Sequence, residues 1–339
     1  MAEFISFQPS DFFNVVLYTG NATADRQITL GFQPDMAWAK SRTNTENHAL
    51  FDSVRGGYRI MPDQDNAQDS NAGVTAWNST GYVIGSSDSF NSNSQDFVNW
   101  AWKMGTTSGL SGGTITPSGY SISTTAGQSV IAYAGTGSAG TIPHGLGKTP
   151  DMIMVKETTN ATNWAVYTTI VGKSNFLILN TDASEASTSN WNSTLPTSSL
   201  FSIGAGGQVN TSGRTYVAYC FANIPGYSKS GYFVGNSNSD GPFFYTGFRP
   251  AFILAKNTNS STDWMILDDK RLGYNEANYR FKANTNVAEA SDISGDIVST
   301  GFKIRTTSSD WNTSGDYYNY LAFADFPLVS SNDIPTVAR

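Results

Sequence analysis

The sequence predicts an all-β protein made of three tandem β-sandwich repeats of the jelly-roll kind. The first observation is a decamer that returns twice: GFQPDMAWAK (31–40), GKTPDMIMVK (147–156) and GFRPAFILAK (247–256). The second is composition. Charged residues make up 14% of the 339, against the usual ~25%, and Ser, Thr, Asn and Gly fill the gap. The third is periodicity. Short runs of Val, Ile, Tyr, Phe and Trp are bounded by Gly, Asn, Ser and Asp, and no stretch keeps a helical apolar period.

Each copy is read through anchors in constant order. It opens with VVLYTGN (15–21), VIAYAGT (130–136) or GYFVGNS (231–237). The decamer follows. Its glycine and proline form a turn into a strand, where the missing proline N–H costs no ladder bond. The run behind them is continuously apolar, as expected of a strand covered on both faces. Alternation places Trp38 and Lys40 on one face, and the lysine is expected to lay its stem there and lift its ammonium to the rim. Next come HALFDS (48–53), WAVYTT (164–169) and WMILDD (264–269), then TGYVIGS (80–86), SLFSIGA (199–205) and TGFKIRT (300–306). Each copy closes on DFVNWAWK (96–103), RTYVAYCFA (214–222) or DYYNYLAFA (316–324). AQDSNAGV (67–74) and NVAEASDI (286–293) have room for a short helical turn and no more.

These anchors divide the chain into an N-terminal arm plus repeat 1 (1–105), a Ser/Thr/Gly-rich linker (106–126), repeat 2 (127–226), repeat 3 (227–330) and a C-terminal tail (331–339). Three domains with their own cores are expected, with a fused trio sharing cores as the alternative. The arm carries Phe4, Ile5, Phe7, Phe12 and Phe13. These are candidates for docking onto a partner subunit or for the first strand of repeat 1.

Net charge is −7, which argues against a nucleic-acid groove and against charge-driven membrane adhesion. No apolar run approaches a membrane span, and the N-terminus does not read as a secretory signal. Cys220 is the single cysteine and occupies a slot held by Ala101 and Ala322 in the other copies, a small buried position. His48 stands where the other copies have Trp164 and Trp264, so it reads as a packed ring; His144 lies in the turn PHGLG. The acidic run DQDNAQDS (63–70) lacks calcium-loop spacing. Asp52 and Asp268 read as surface ion pairs with Arg55 and with Lys270–Arg271. No catalytic residue, metal ligand or cofactor is expected. The loop aromatics Trp191, Trp311 and Tyr274 are ligand-binding candidates, since a ring among hydroxyl and amide groups suits a sugar. Their alternative role is to cap the edge of their own core.

The runs FQPSDFFNVVLYTGN, GFQPDMAWAK and HALFDSVRGG, and more closely GPFFYTGFRPAFILAK, DWMILDDKR and STGFKIR, resemble a repeat widespread in proteins of marine tailed bacteriophages. The ending YLAFADFPLVSSNDIPTVAR matches its usual C-terminal form, and the resemblance runs from about residue 6 to 339. It implies a virion component, a tail fibre or adhesin or a capsid-decorating protein, non-enzymatic, presenting loops for host attachment. Such a chain is made in the host cytoplasm and acts outside cells. Expected partners are other capsid or tail proteins, host-surface glycan and further copies of itself. The alternatives are a secreted carbohydrate-binding or carbohydrate-cleaving protein and a pure capsid cement protein.

Overall fold

A computed structural model describes residues 5–325 apart from 71, 72, 272–274 and 276. The first sequence copy contributes β1 (Phe13–Thr19), β2 (Arg26–Thr29), β3 (Met36–Ser41), β4 (Ala49–Asp52), β5 (Val74–Asn78), β6 (Gly81–Ile84) and β7 (Asp96–Trp102). The second contributes β8 (Gly119–Ser123), β9 (Gln128–Ala134), β10 (Gly140–Pro143), β11 (Met152–Glu157), β12 (Ala165–Thr168), β13 (Asn175–Phe176), β14 (Ala186–Ser187), β15 (Leu200–Ile203) and β16 (Thr215–Phe221). The third contributes β17 (Ser228–Val234), β18 (Phe243–Tyr245), β19 (Pro250–Asn257), β20 (Met265–Asp268), β21 (Ala277–Lys282), β22 (Ala290–Val298), β23 (Gly301–Ile304) and β24 (Tyr317–Ala324). The protein is all-β.

The larger sheets share one order: β1-β7-β3-β4, then β8-β9-β16-β11-β12, then β17-β24-β19-β20. Opposite them lie β2-β6-β5 and β10-β15; in the third copy β20 continues through β21-β22-β23-β18 as one eight-stranded sheet. The decamer strands β3, β11 and β19 are central and buried at every residue. The glycines that precede them, Gly31, Gly147 and Gly247, have φ of +89°, +68° and +87°, which explains the glycine in the decamer. One face of each decamer strand lines its own copy's cluster, through Ala37 and Ala39, Ile153 and Val155, or Ile253 and Ala255. The other face, through Met36 and Trp38, Met152 and Met154, or Phe252 and Leu254, joins one apolar cluster drawn from all three copies. The chain therefore has both separate cores and a shared one.

Two rings of hydrogen bonds close around this shared core. In the first, Trp164 Nε1 donates to Met61 O (3.0 Å) and Trp264 Nε1 to Ile178 O (2.8 Å), while His48 Nε2 meets Lys282 O (3.2 Å). The three acceptors occupy equivalent places, each following the residue that bridges or pairs with Leu50, Val166 or Ile266. In the second, the backbone N–H of Gln68, Glu185 and Glu289 donates to the carbonyls of Thr158, Thr258 and Arg42, at 3.1, 2.8 and 3.1 Å. Each copy therefore bonds both others.

Several expectations are corrected. Lys40, Lys156 and Lys256 do not reach the rim. They are fully buried, and each ammonium donates to the next residue's carbonyl, on Ser41, Glu157 and Asn257 (2.9, 2.6 and 2.6 Å). The Asp52–Arg55 and Asp268–Arg271 pairs, both 2.7 Å, are buried at seams between copies rather than at the surface. Part of the segment read as a linker forms β8, an edge strand on β9. Short helices lie at Asp88–Asn91, Gly207–Asn210 and Ser309–Asn312, just before each closing strand, and the described residues of 67–74 and 286–293 hold none.

Candidate functional site

The aromatic candidates of the sequence lie inside. Trp191 is 2% and Trp311 1% exposed, each in its own copy's cluster. Trp191 donates Nε1–H to Asn175 O (3.0 Å), and Trp311 packs on Phe302. Rings so covered offer no face to a sugar, so the geometry matches core caps. Tyr274 lies outside the described residues.

The described residues of the arm pack on their own chain. Ile5 meets Gly226; Phe7 and Phe12 pack edge-on with each other and with Tyr227; Phe13 starts β1 and contacts Trp102, Phe252 and Phe323. Phe4 lies outside the described residues.

Both histidines are buried and hydrogen-bonded. His48 Nδ1 accepts from Trp38 Nε1 (2.8 Å), which leaves Nε2 to donate to Lys282 O and defines a neutral tautomer. Burial first, then the nearby Lys40 charge, holds its pKa well below the usual value. His144 is also buried, accepting from Leu146 N and facing Thr197 O. Burial pushes the Cys220 thiol up to about 12. Among the described residues, no group of three His, Cys, Asp or Glu is placed to hold a metal ion.

Three asparagines escaped the sequence reading. Asn91, Asn210 and Asn312 end the three short helices and are fully buried. Each Oδ1 accepts a backbone N–H from the loop after the opening strand, at Asn21, Thr136 and Asn236. Each Nδ2 donates to two carbonyls. The recurrence Phe90-Asn91, Val209-Asn210, Trp311-Asn312 was the available signal.

An accessible site emerges at one edge of the third copy. Its eight-stranded sheet curls so that its end strands, β17 and β18, face each other across an open groove of about 480 Å³. Period-two alternation sends Phe233 and Phe244 inward, where they stack at 4.6 Å and 3° between planes and form the floor with Tyr320. The same alternation sends Tyr232, Val234, Phe243 and Tyr245 outward, 55%, 40%, 46% and 59% exposed, beside Tyr317. Gly231 keeps the floor open to Tyr320, whose hydroxyl would lie 2.9 Å from an added Cβ. Lys229 spans the gap: its ammonium donates to Tyr245 O (2.6 Å) and sits over that ring. Clustered exposed rings of this kind mark a contact surface. Strand register gives the missed signal: the position of Tyr232 is Leu17 in the first copy and Ala132 in the second.

The fold and this groove define an all-β protein whose copies interlock around one core and which presents an aromatic surface at a sheet edge. A family model described as a domain of unknown function, DUF7483, matches residues 8–327, and the chain belongs to that family. That single match spans all three sequence copies, as the shared core does. No curated protein matches the chain.

Proposed function

We propose that the protein is a non-enzymatic structural component of a bacteriophage virion, built from three β-sandwich repeats of the jelly-roll kind and attached to capsid or tail. The observation that carries this reading is the aromatic groove of the third copy. The buried titratable groups discussed above serve packing and seams, whereas Tyr232, Phe243, Tyr245 and Tyr317 are held out to solvent on a rigid edge. The seams are closed within one chain, so contact with a particle falls to the outer surface. The resemblance to phage repeats supplies the virion setting. A secreted carbohydrate-binding protein is the second reading, favoured by the same exposed rings.

Immunogold labelling of purified virions with antibody to the folded chain tests the proposal. Gold on the head supports decoration, and gold on the tail supports an adhesin. Bare particles with a working antibody refute the virion reading and favour the secreted one.

A further inference from the structure

The second copy shows what fills this gap when it is filled. There the equivalent edges are β9 and β10, and the segment 106–123 runs between them. The backbone N–H groups of Thr114 and Ile115 donate to Thr141 O on β10, both at 3.0 Å. The chain then turns and adds β8 to the edge of β9, with Tyr120 opposite Ile131. Ile115 and Ile122 become buried in that copy's core. In the third copy β17 and β18 occupy the same places. Among the described residues neither is paired on its outer side.

An unpaired strand edge beside an apolar cleft is the template for strand addition, in which backbone bonds give affinity and alternate side chains give specificity. We propose that the groove between β17 and β18 receives an extended polypeptide segment of a partner protein, which adds a strand to β17 as β8 adds to β9. The partner segment carries an apolar side chain at alternate positions, separated by small or hydroxyl residues, as Gly119-Tyr-Ser-Ile-Ser123 does. Its inward side chains cover Phe233, Phe244 and Tyr320. Its outward ones meet Tyr232 and Tyr245. Lys229 sits between the two edges, and its bond to Tyr245 O is exchanged when the strand enters. The inference deepens the reading above by giving the partner's chemistry, and rests on it only for the partner's being a particle protein.

The test uses the full chain and a labelled synthetic peptide of residues 112–124, followed by fluorescence anisotropy. The expected result is saturable binding that weakens at least tenfold in Tyr232→Ala/Tyr245→Ala, a variant of two exposed side chains that leaves the fold intact. Two further peptides, N-methylated at alternate residues in the two possible registers, keep every side chain. One is expected to lose binding and the other to retain it, because only one set of amides faces β17. No binding to the native chain, or binding indifferent to the groove variant or to both methylation registers, overturns the proposal. So does cellohexaose or maltohexaose occupying the groove where the peptide does not, or self-association in sedimentation that the double variant abolishes. Failure here with gold on virions leaves the virion reading standing; peptide binding with bare virions does the reverse.

Discussion

The indole N–H of Trp100 donates to the carboxylate of Asp268 at 3.1 Å, across 168 residues of sequence and inside the shared core. The equivalent seam between the first two copies has Tyr219 donating to Asp52 at 2.6 Å. Each acid also holds an arginine three residues on, Arg271 or Arg55. At the remaining seam the matching positions are Leu321, Thr168 and Val171. Donor, acid and cation have all been exchanged together, so no charge is left without partners there. Tyr219→Phe is expected to cost about 1–3 kcal/mol in urea unfolding, since the buried carboxylate loses one of its donors. Thr168→Asp, which buries a charge with no cation and only the Val171 N–H in place as a donor, is expected to cost at least about 3 kcal/mol.

His48→Phe removes two hydrogen bonds at once. Trp38 Nε1 then lies buried without a partner, while Lys282 O keeps the Thr285 N–H (3.2 Å). The expected loss is about 1–3 kcal/mol by chemical denaturation. His48→Trp restores a ring donor like Trp164 and Trp264, and is expected to recover part of it.

The three buried lysines give a pH signature. Burial lowers each pKa from 10.5 to about 8. Below pH 8 the ammonium is charged in both states and its burial opposes folding. Above it the folded form is neutral while the unfolded chain still binds a proton, so stability rises with pH. Cys220 and the buried tyrosines Tyr82, Tyr133, Tyr219 and Tyr227 act oppositely, because their pKa values are raised on folding. Stability is therefore expected to climb above pH 8, pass a maximum near the unfolded pKa values of Cys and Tyr, and then fall. Lys156→Met should remove about one third of the climb, read as Tm against pH.

Cys220 is buried, with its thiol held well above the usual range by burial. It is expected to resist a thiol reagent in the native chain and to react fully in denaturant. Fast native labelling would show that this strand opens.

Much of the fold was legible because the repeat exposes it. The decamer's glycine, its doubly buried strand and the alanine-sized slot of Cys220 follow from comparing the copies. What was not legible is how the copies meet. Lys40, Asp52 and Arg55 look like surface residues in a strand pattern. Their burial depends on a neighbouring copy, which local periodicity does not report. The groove is hidden for a related reason: Tyr232 and Tyr245 alternate correctly with Phe233 and Phe244, and their edge is accessible because no strand like β8 covers it among the described residues. Trp191 and Trp311 are ambiguous in the sequence between a sugar-facing ring and a core cap, because position between strands does not report which way a ring turns; each turns back into its own copy's core.

Calorimetry of the full chain tests the interlocked core most directly. With each copy bonded to both others, the account predicts one transition whose calorimetric and van't Hoff enthalpies agree. Two or three resolved transitions, or a van't Hoff enthalpy near a third of the calorimetric one, would contradict it.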